Sequence, residues 1–341
     1  MTRSRPFIIP VFLPHAGCPH QCVFCDQTSI TGVHRKRLSK AQLRALIDRF
    51  LKYKGPRRKQ VQIAYFGGNF LGLHREDIRF LLEEATQFVR QGRVDSIRFS
   101  TRPDTIDEEQ LDLIRNFPIA TVELGVQSMD DQILAMARRG HDCAATIRAV
   151  HLLRDRNYQI GLQIMIGLPG DDPSRSLQTG RRIVDLQPDF VRIYPTVVLA
   201  NSLLAQWYRK GDYIPLALAT CVSLVKNLYL MFQKADIQVI RMGLQASEDL
   251  EGGSTLLAGP YHPAFGHLVH SEIFFDLAVL ALKSTNVLGD QAVISVHPGS
   301  VSKMRGLKNE NIRKIKQQFH LKSIVIIADS AIAEDNLILS R

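Results

Sequence analysis

The sequence is poor in cysteine, with five in 341 residues, an odd number, and three of the five fall between positions 18 and 25. An odd, clustered set excludes a dispersed disulfide framework and the small secreted scaffold that such frameworks hold together. It points instead to a reducing compartment, the cytoplasm, with thiolates used for metal ligation. No apolar run of about eighteen residues is present, so no segment reads as a membrane span. The N-terminal MTRSRPFIIPVF joins basic residues to an apolar run. Pro10, Pro14 and His15 interrupt that run, and no small-residue cleavage site follows, so it reads as a strand and not as a targeting signal. Repeats, low-complexity tracts and flexible linkers are also lacking. Acidic residues are the minority, 33 Asp+Glu against 43 Lys+Arg, for a net charge of +10. That balance suits a polyanionic partner such as RNA, or serves solubility alone.

What is present is an ordinary globular share of hydrophobic residues, 45%, in a chain long enough for an α/β barrel and an appendage. Apolar strands alternate with amphipathic helices over the first two thirds. The strands are expected at 7–14, 61–66, 96–101, 120–126, 160–166 and 190–196, with helices between them and a last helix at 216–235. Ser39 and Ser174 are the expected N-caps of two of these helices. Strict alternation implies parallel strands with helical crossovers, hence a TIM-like barrel or part of one, or else a doubly wound open sheet. In a barrel the functional site gathers at the C-terminal strand ends. The residues just after the strands fit that rule: HAGCPHQCVFC, GGN, RPD, QS, GLPGD and YPT. The domains expected are 1–235 for the barrel and 236–341 for a smaller α+β extension.

The triplet Cys18, Cys22 and Cys25 is the strongest chemical signal. A closed zinc site takes four ligands, and His15, His20 or His34 offers a fourth. An iron–sulfur cluster is usually held by four cysteines, and here no fourth lies nearby. Three thiolates on such a cluster leave one iron open to a cofactor or substrate. Both readings stand on the spacing alone, beside inert loop cysteines. Cys143 and Cys221 fall on expected helices and read as buried apolar residues.

The stretch CPHQCVFC resembles the CxxxCx[aromatic]C loop of the radical S-adenosylmethionine superfamily. FSTRPDTID, VELGVQSMDDQILAMARRGHD, IMIGLPGDD and VRIYPTVVLANSLLAQWYRKGDYIP follow in order. Together they resemble the radical domain of the Elongator catalytic subunit and its bacterial relatives over roughly residues 7–215. The resemblance implies a partial (β/α)6 TIM-like barrel. It also implies a [4Fe–4S] cluster on Cys18, Cys22 and Cys25, with S-adenosylmethionine chelating the open iron. The implied reaction is reductive cleavage to a 5′-deoxyadenosyl radical that abstracts hydrogen from a substrate. An electron donor such as flavodoxin or ferredoxin is implied as well.

By the same resemblance Phe24 packs near the adenine, and Gly67 and Gly68 offer backbone to the methionyl amino group. Ser100, Gln127 and Gln163 face the ribose or methionyl part, and Arg139 holds the carboxylate. Ile166, Gly167 and Leu168 line the adenine, and Ile193 and Tyr194 supply backbone contacts. Asn69 departs from the family, which often has Glu there. The chain is also expected to lack the acetyltransferase domain of the Elongator subunit.

The tail MRGLKNENIRKI resembles the loop and helix of a KH domain, within a segment spanning 291–330. The loop reads Gly306-Leu-Lys-Asn309, with Asn, which tolerates a left-handed backbone, in place of the second glycine. Lys303, Arg305, Lys308, Arg313, Lys314 and Lys316 make it basic. An RNA-backbone contact and a solvated amphipathic helix are the two readings. Arg35-Lys36-Arg37 and Arg57-Arg58-Lys59 extend such a track or lie on exposed loops. His262, His267 and His270 match no metal spacing and read as ordinary loop histidines. The expected function is a radical enzyme acting on transfer RNA. A radical enzyme on a small metabolite and a non-catalytic iron–sulfur protein are the alternatives.

Overall fold

The computed structural model describes residues 6–27, 38–55, 60–245, 255–284 and 290–340. His34, Arg35–Arg37 and Arg57–Lys59 lie outside the described residues. Strands β1 (Phe7–Leu13), β2 (Val61–Gly67), β3 (Ser96–Thr101), β4 (Ile119–Gln127), β5 (Gln159–Ile166) and β6 (Phe190–Pro195) pair in parallel in sequence order. A short β7 (Val198–Leu199) follows, which pairs antiparallel with β9 (Leu256–Ala258), and between them β8 (Gln238–Met242) pairs with β6 as a seventh parallel strand. The large sheet therefore continues past residue 235, where the sequence reading ended the barrel. Helices α1 (Lys40–Leu51), α2 (Arg75–Arg90), α3 (Glu108–Ile114), α4 (Asp131–Met136), α5 (Cys143–Asp155) and α6 (Pro173–Asp185) make the crossovers. α7 (Leu203–Lys210) and α8 (Leu218–Lys234) precede β8.

The strand order never reverses, so there is no switch point, and the doubly wound alternative is excluded. Right-handed crossovers in one direction put the helices on one face, and the sheet curls around the other. The curl is visible in contacts between strands that are not neighbours. The Arg192 guanidinium on β6 lies 5.3 Å from the Phe66 ring centroid on β2. Arg98 on β3 reaches the Phe190 ring on β6 at 5.2 Å. The architecture is an open half-barrel whose lateral edges are β1 and β8. Its main core lies on the convex face, where Ile63, Val122, Leu162 and Val191 meet Ile47, Leu82, Leu153 and Leu228 with no exposed surface.

Ser39 caps α1 with a full capping box: its hydroxyl accepts from Gln42 N–H and the Gln42 side chain returns to Ser39 N–H. Ser174 does not cap α6. Asp172 does, accepting from Arg175 N–H at 2.9 Å, because Pro173 already occupies the first helical position and fixes the entry one step earlier.

The long α9 (Phe265–Ser284) joins two cores: Phe265 and Val269 sit in the main one, Phe274, Ala278 and Leu282 in a second. By length and composition α9 is apolar enough to cross a membrane. Here its Glu272 and Asp276 pair with the buried Lys226 of α8 at 3.5 and 2.5 Å. The second core lies beneath a small sheet of order β11-β10-β12, from β10 (Gln291–Val296), β11 (Ser323–Ala328) and β12 (Leu337–Ser340). α10 (Val301–Arg305) and α11 (Glu310–Phe319) connect β10 to its parallel neighbour β11. Between them Gly306, Lys308 and Asn309 all take positive φ, at 71°, 50° and 60°.

Buried Glu84 of α2 ties α1 down, receiving Lys40 at 2.8 Å and Arg44 at 2.6 Å. Burial pushes its carboxyl up, but the hydrogen bonds and charges of Lys40 and Arg44 outweigh this and hold it below the usual carboxylate range. The folded state thus favours the ionised form, and the stabilisation is present above the unfolded carboxylate pKa and lost as pH falls through the folded value. Glu84→Gln is expected to destabilise the protein by about 1 kcal/mol at pH 7, since both cations are exposed and screened. Urea denaturation should show the gap between variant and wild type closing as the pH is lowered below 4.5.

Candidate metal and cofactor site

The site is built where the loop after β1 meets the end of β2. Gly68 N–H donates to Leu13 O at 2.9 Å and Asn69 N–H to Ala16 O at 2.7 Å. A Cβ on Gly68 would stand 2.0 Å from Ala16 O, and one on Gly17 (φ 70°) 2.2 Å from Asn69 O. The two backbones touch, and only glycine permits it. Asn69 completes the junction. It is almost fully buried. Its Nδ2 donates to Gly17 O at 3.0 Å. Its Oδ1 accepts from Thr101 Oγ1 at 2.6 Å, Arg102 N–H at 3.0 Å and Thr105 Oγ1 at 3.0 Å. The side chain is consumed in tying the cysteine loop to β3, and the Glu-to-Asn departure reads as a structural exchange at the root of the loop.

Beyond Gly17 the cysteine loop is pinned at Val23, which donates to Ala137 O at 3.2 Å and accepts from Leu204 N–H at 2.7 Å. Cys22 is buried, and Cys18 and Cys25 are half-buried. Burial first, then Cys22 and Cys18, pushes the Cys25 thiol up to about 12. Burial and Cys22 raise Cys18 as well, against the opposing pull of Arg139 and Arg102. These thiols hold their protons until a cation replaces them. Two buried arginines face them. Arg139 Nη1 donates to Cys22 Sγ at 3.1 Å, and its Nη2 donates to Gly125 O. Arg102 grips Asp104 with two bonds of 2.9 Å and donates to Arg139 O. Arg139 Nε and Arg102 Nη1 are buried with no hydrogen-bond partner. His141, beside Asp104, is pushed down to about 4 by burial and by the arginines, so at pH 7 it is neutral and the local positive charge is theirs.

Three thiolates and two guanidiniums with spare N–H groups fit a thiolate-ligated, electron-rich cluster. A single ion fits less well. Thiolates sharing one tetrahedral zinc would stand about 4 Å apart, and among the described residues no three Cys, His, Asp or Glu close around one ion. His15 is engaged by Gln27, accepting its N–H at 3.0 Å, and His20 packs on Gly140.

Most of the other expected site residues come to the same end of the half-barrel. Gln127 takes φ 70° beside a register shift that ends β4. Gln163 Nε2 donates to Ser100 Oγ at 3.3 Å across the concave face. Tyr194 lies on that face beside Arg192, its hydroxyl 3.5 Å from Nη1. Phe24 joins Leu168 and Met165 in one apolar cluster. Gly167 (φ 73°) is fixed by Asp171, which accepts its N–H at 2.8 Å, and by Tyr213, whose hydroxyl donates to its carbonyl at 2.6 Å. Ile166 and Ile193 are different. Their side chains lie in the convex core, so only their backbones are left to meet a ligand. Strand alternation is the cause: at these positions the side chain points away from the lumen.

The sequence reading missed Arg102 and the ionic floor of the lumen. Fully buried Glu123 receives Arg192 Nε at 2.8 Å and Nη2 at 3.0 Å, Gln163 Nε2 at 3.0 Å, and Arg98 Nε at 3.4 Å. The signal was there: each strand carries one charged residue at a lumen-facing position, in SIRFST, VELGV and VRIYP.

The profile of the radical SAM superfamily matches residues 12–181, and the Radical_SAM C-terminal domain matches 188–274. The chain is 28% identical over 243 residues to a tRNA uridine(34) acetyltransferase of Dehalococcoides mccartyi, covering 62% of this chain and 53% of that protein. It is 23% identical over 271 residues to Elongator complex protein 3 of Saccharomyces cerevisiae, covering 67% and 48%. The chain thus spans about half the length of these relatives. The archaeal Methanocaldococcus infernus Elp3 superposes with a TM-score of 0.64 at 21% identity, over 80% of this chain and 63% of that one, which shows a shared fold.

Asn69→Ala would strand Gly17 O and Arg102 N–H in a dry site. The expected cost is about 2–4 kcal/mol of stability, read as a lower denaturation midpoint. Less iron per chain after anaerobic reconstitution should accompany it. Iron loading equal to wild type would show that the junction does not govern the loop.

Proposed function

From the premise that the chain belongs to the radical S-adenosylmethionine superfamily, we propose that its substrate is RNA, with transfer RNA the class its relatives' names support. As a member it is an iron–sulfur enzyme whose cofactors are a [4Fe–4S] cluster and S-adenosylmethionine. Bound together, these supply the 5′-deoxyadenosyl radical that takes a hydrogen atom from the substrate.

The chain's own residues do the rest. Cys18, Cys22 and Cys25 would hold the cluster, three thiolates leaving one iron for the cofactor. Arg139 and Arg102 offset the thiolate charge, and the spare Arg139 Nε is left for an anionic group. Backbone at Gly67 and Gly68, with Ser100, Gln127 and Gln163, would orient the cofactor in the lumen. Phe24 and Leu168 would shield its apolar side from water. A flavodoxin- or ferredoxin-like donor would supply electrons. Acetyl transfer, named for the relatives, is not carried over to a chain that spans about half of them.

The RNA reading rests on the C-terminal unit. Its β10-α10-α11-β11 order presents the left-handed loop Gly306–Asn309 between two helices. Arg305, Lys308 and Arg313 stand exposed around it, with Lys303 and Lys316 partly so. In KH modules such a loop clamps nucleic-acid backbone. Arg313 Nη1 donates to Lys308 O at 2.9 Å, which stiffens the loop without using its charge.

Anaerobically reconstituted protein is expected to form 5′-deoxyadenosine faster when transfer RNA is added. Ala at any one of Cys18, Cys22 or Cys25 should abolish both the cluster's visible absorbance and that product. The double variant Arg305→Ala/Lys308→Ala should flatten the slope of log K against log salt for transfer RNA by about 2. Absence of transfer RNA binding at low salt would overturn the RNA reading and favour a small-metabolite substrate.

A further inference from the structure

Among the described residues, the lumen holds more positive charge than the one carboxylate of Glu123 can answer. Arg192 on β6 and Arg241 on β8 are direct register partners on adjacent parallel strands, so both side chains point to the concave face. Arg98 points there from β3. Glu123 serves Arg192 at 2.8 Å and Arg98 at 3.4 Å. Burial works against the Arg192 charge, but Glu123 and Tyr194 outweigh it and its pKa rises; for Arg98 burial wins and its pKa falls. Arg241 has only a long contact to Gln245 Oε1 at 3.5 Å, and among the described residues no carboxylate pairs with it. Like charges at paired positions on adjacent strands are unfavourable. An arrangement of three cations to one anion in a half-buried lumen becomes favourable when a second anion enters.

The position of the excess charge says what that anion is attached to. Arg241 lies on the edge strand β8 of the half-barrel and is half-exposed, within reach of a ligand entering from that side. Tyr194 places a hydroxyl beside Arg192. On the opposite wall Phe12 and Phe66, register partners on β1 and β2, present rings with centroids 6.3 Å apart. The Arg192 guanidinium already stacks over Phe66. Planar guanidinium forks take phosphate oxygens in pairs, and aromatic rings take bases. We propose that the concave face between β6 and β8 is a phosphate subsite, formed by Arg241 and Arg192 with Tyr194, for a nucleotide whose base lies against the Phe12–Phe66 wall. The proposal rests on the RNA reading above and sharpens it: the enzyme would take one nucleotide of the RNA out of its stack and into the lumen, holding it by its own phosphate.

The test uses the anaerobically reconstituted holoenzyme with uridine, uridine 5′-monophosphate, ribose 5-phosphate and transfer RNA as probes. The monophosphate should bind at least tenfold more tightly than uridine. Arg241→Gln should reduce that preference below twofold, and Arg241→Lys, which keeps the charge but loses the fork, should retain part of it. Equal binding of nucleoside and nucleotide by wild type, or a preference that survives Arg241→Gln, overturns the subsite. If transfer RNA drives turnover equally in wild type and Arg241→Gln, the subsite falls and the RNA reading stands. If ribose 5-phosphate binds through Arg241 while transfer RNA neither binds nor stimulates turnover, the subsite stands and the RNA reading falls.

Discussion

The site depends on one contact, the van der Waals approach of the Ala16–Gly17 backbone to Gly68 and Asn69. Cys18, Cys22 and Cys25 all lie downstream of it, on a loop with few backbone bonds of its own. Glycine on both sides lets the chains meet, and the Asn69 amide then satisfies polar groups from two segments at once, the cysteine loop and the end of β3. A Glu side chain has no amide N–H to give to Gly17 O. The exchange at position 69 is therefore coupled to the way this chain closes the junction, and the carboxylate's absence says little about catalysis.

Charge is arranged around that junction in two layers. Near the cysteines, Arg102 and Arg139 face three thiols, and burial raises the pKa of two of them, Cys18 and Cys25. Deeper in the lumen, Arg98 and Arg192 share Glu123, and among the described residues no carboxylate pairs with Arg241 beside them on β8. Both layers carry more cation than anion, and both lie in low dielectric, where an unanswered charge is costly. A protein that tolerates this has a use for incoming negative charge. In the function proposed above, the first layer would answer a thiolate-bound cluster, and the second is free for something else.

The open half-barrel makes the second layer reachable. Sequential strand order curls the sheet without closing it, so β1 and β8 remain edges. A closed eight-stranded barrel would fill its interior with side chains. Here Gly161 leaves room for the Phe190 ring, and the lumen keeps polar residues that a packed core would not hold. The C-terminal unit is joined by α9, whose two ends belong to two different cores.

Much of this was legible in the sequence because it is local. Strand–helix alternation placed the first six strands within a residue or two. The cysteine spacing put three thiols on one loop, since residues three and four apart need no tertiary information to lie near one another. Asn309 took the left-handed backbone its side chain suggested. Other features were not legible because they depend on partners far along the chain. Nothing near Asn69 says that Thr101 and Arg102 will sit beside it. Asp172, and not Ser174, caps α6 because Pro173 leaves only one entry geometry. The lumen charges were visible as single polar residues in apolar strands, but which of them meet was decided by the register and curl of the sheet. The sequence by itself placed three thiols on one short loop after the first strand, because that depends only on residue type and short spacing. Only the tertiary structure decided that Arg98 and Arg192 share one carboxylate, because that is a matter of which strands lie opposite one another across a curved sheet.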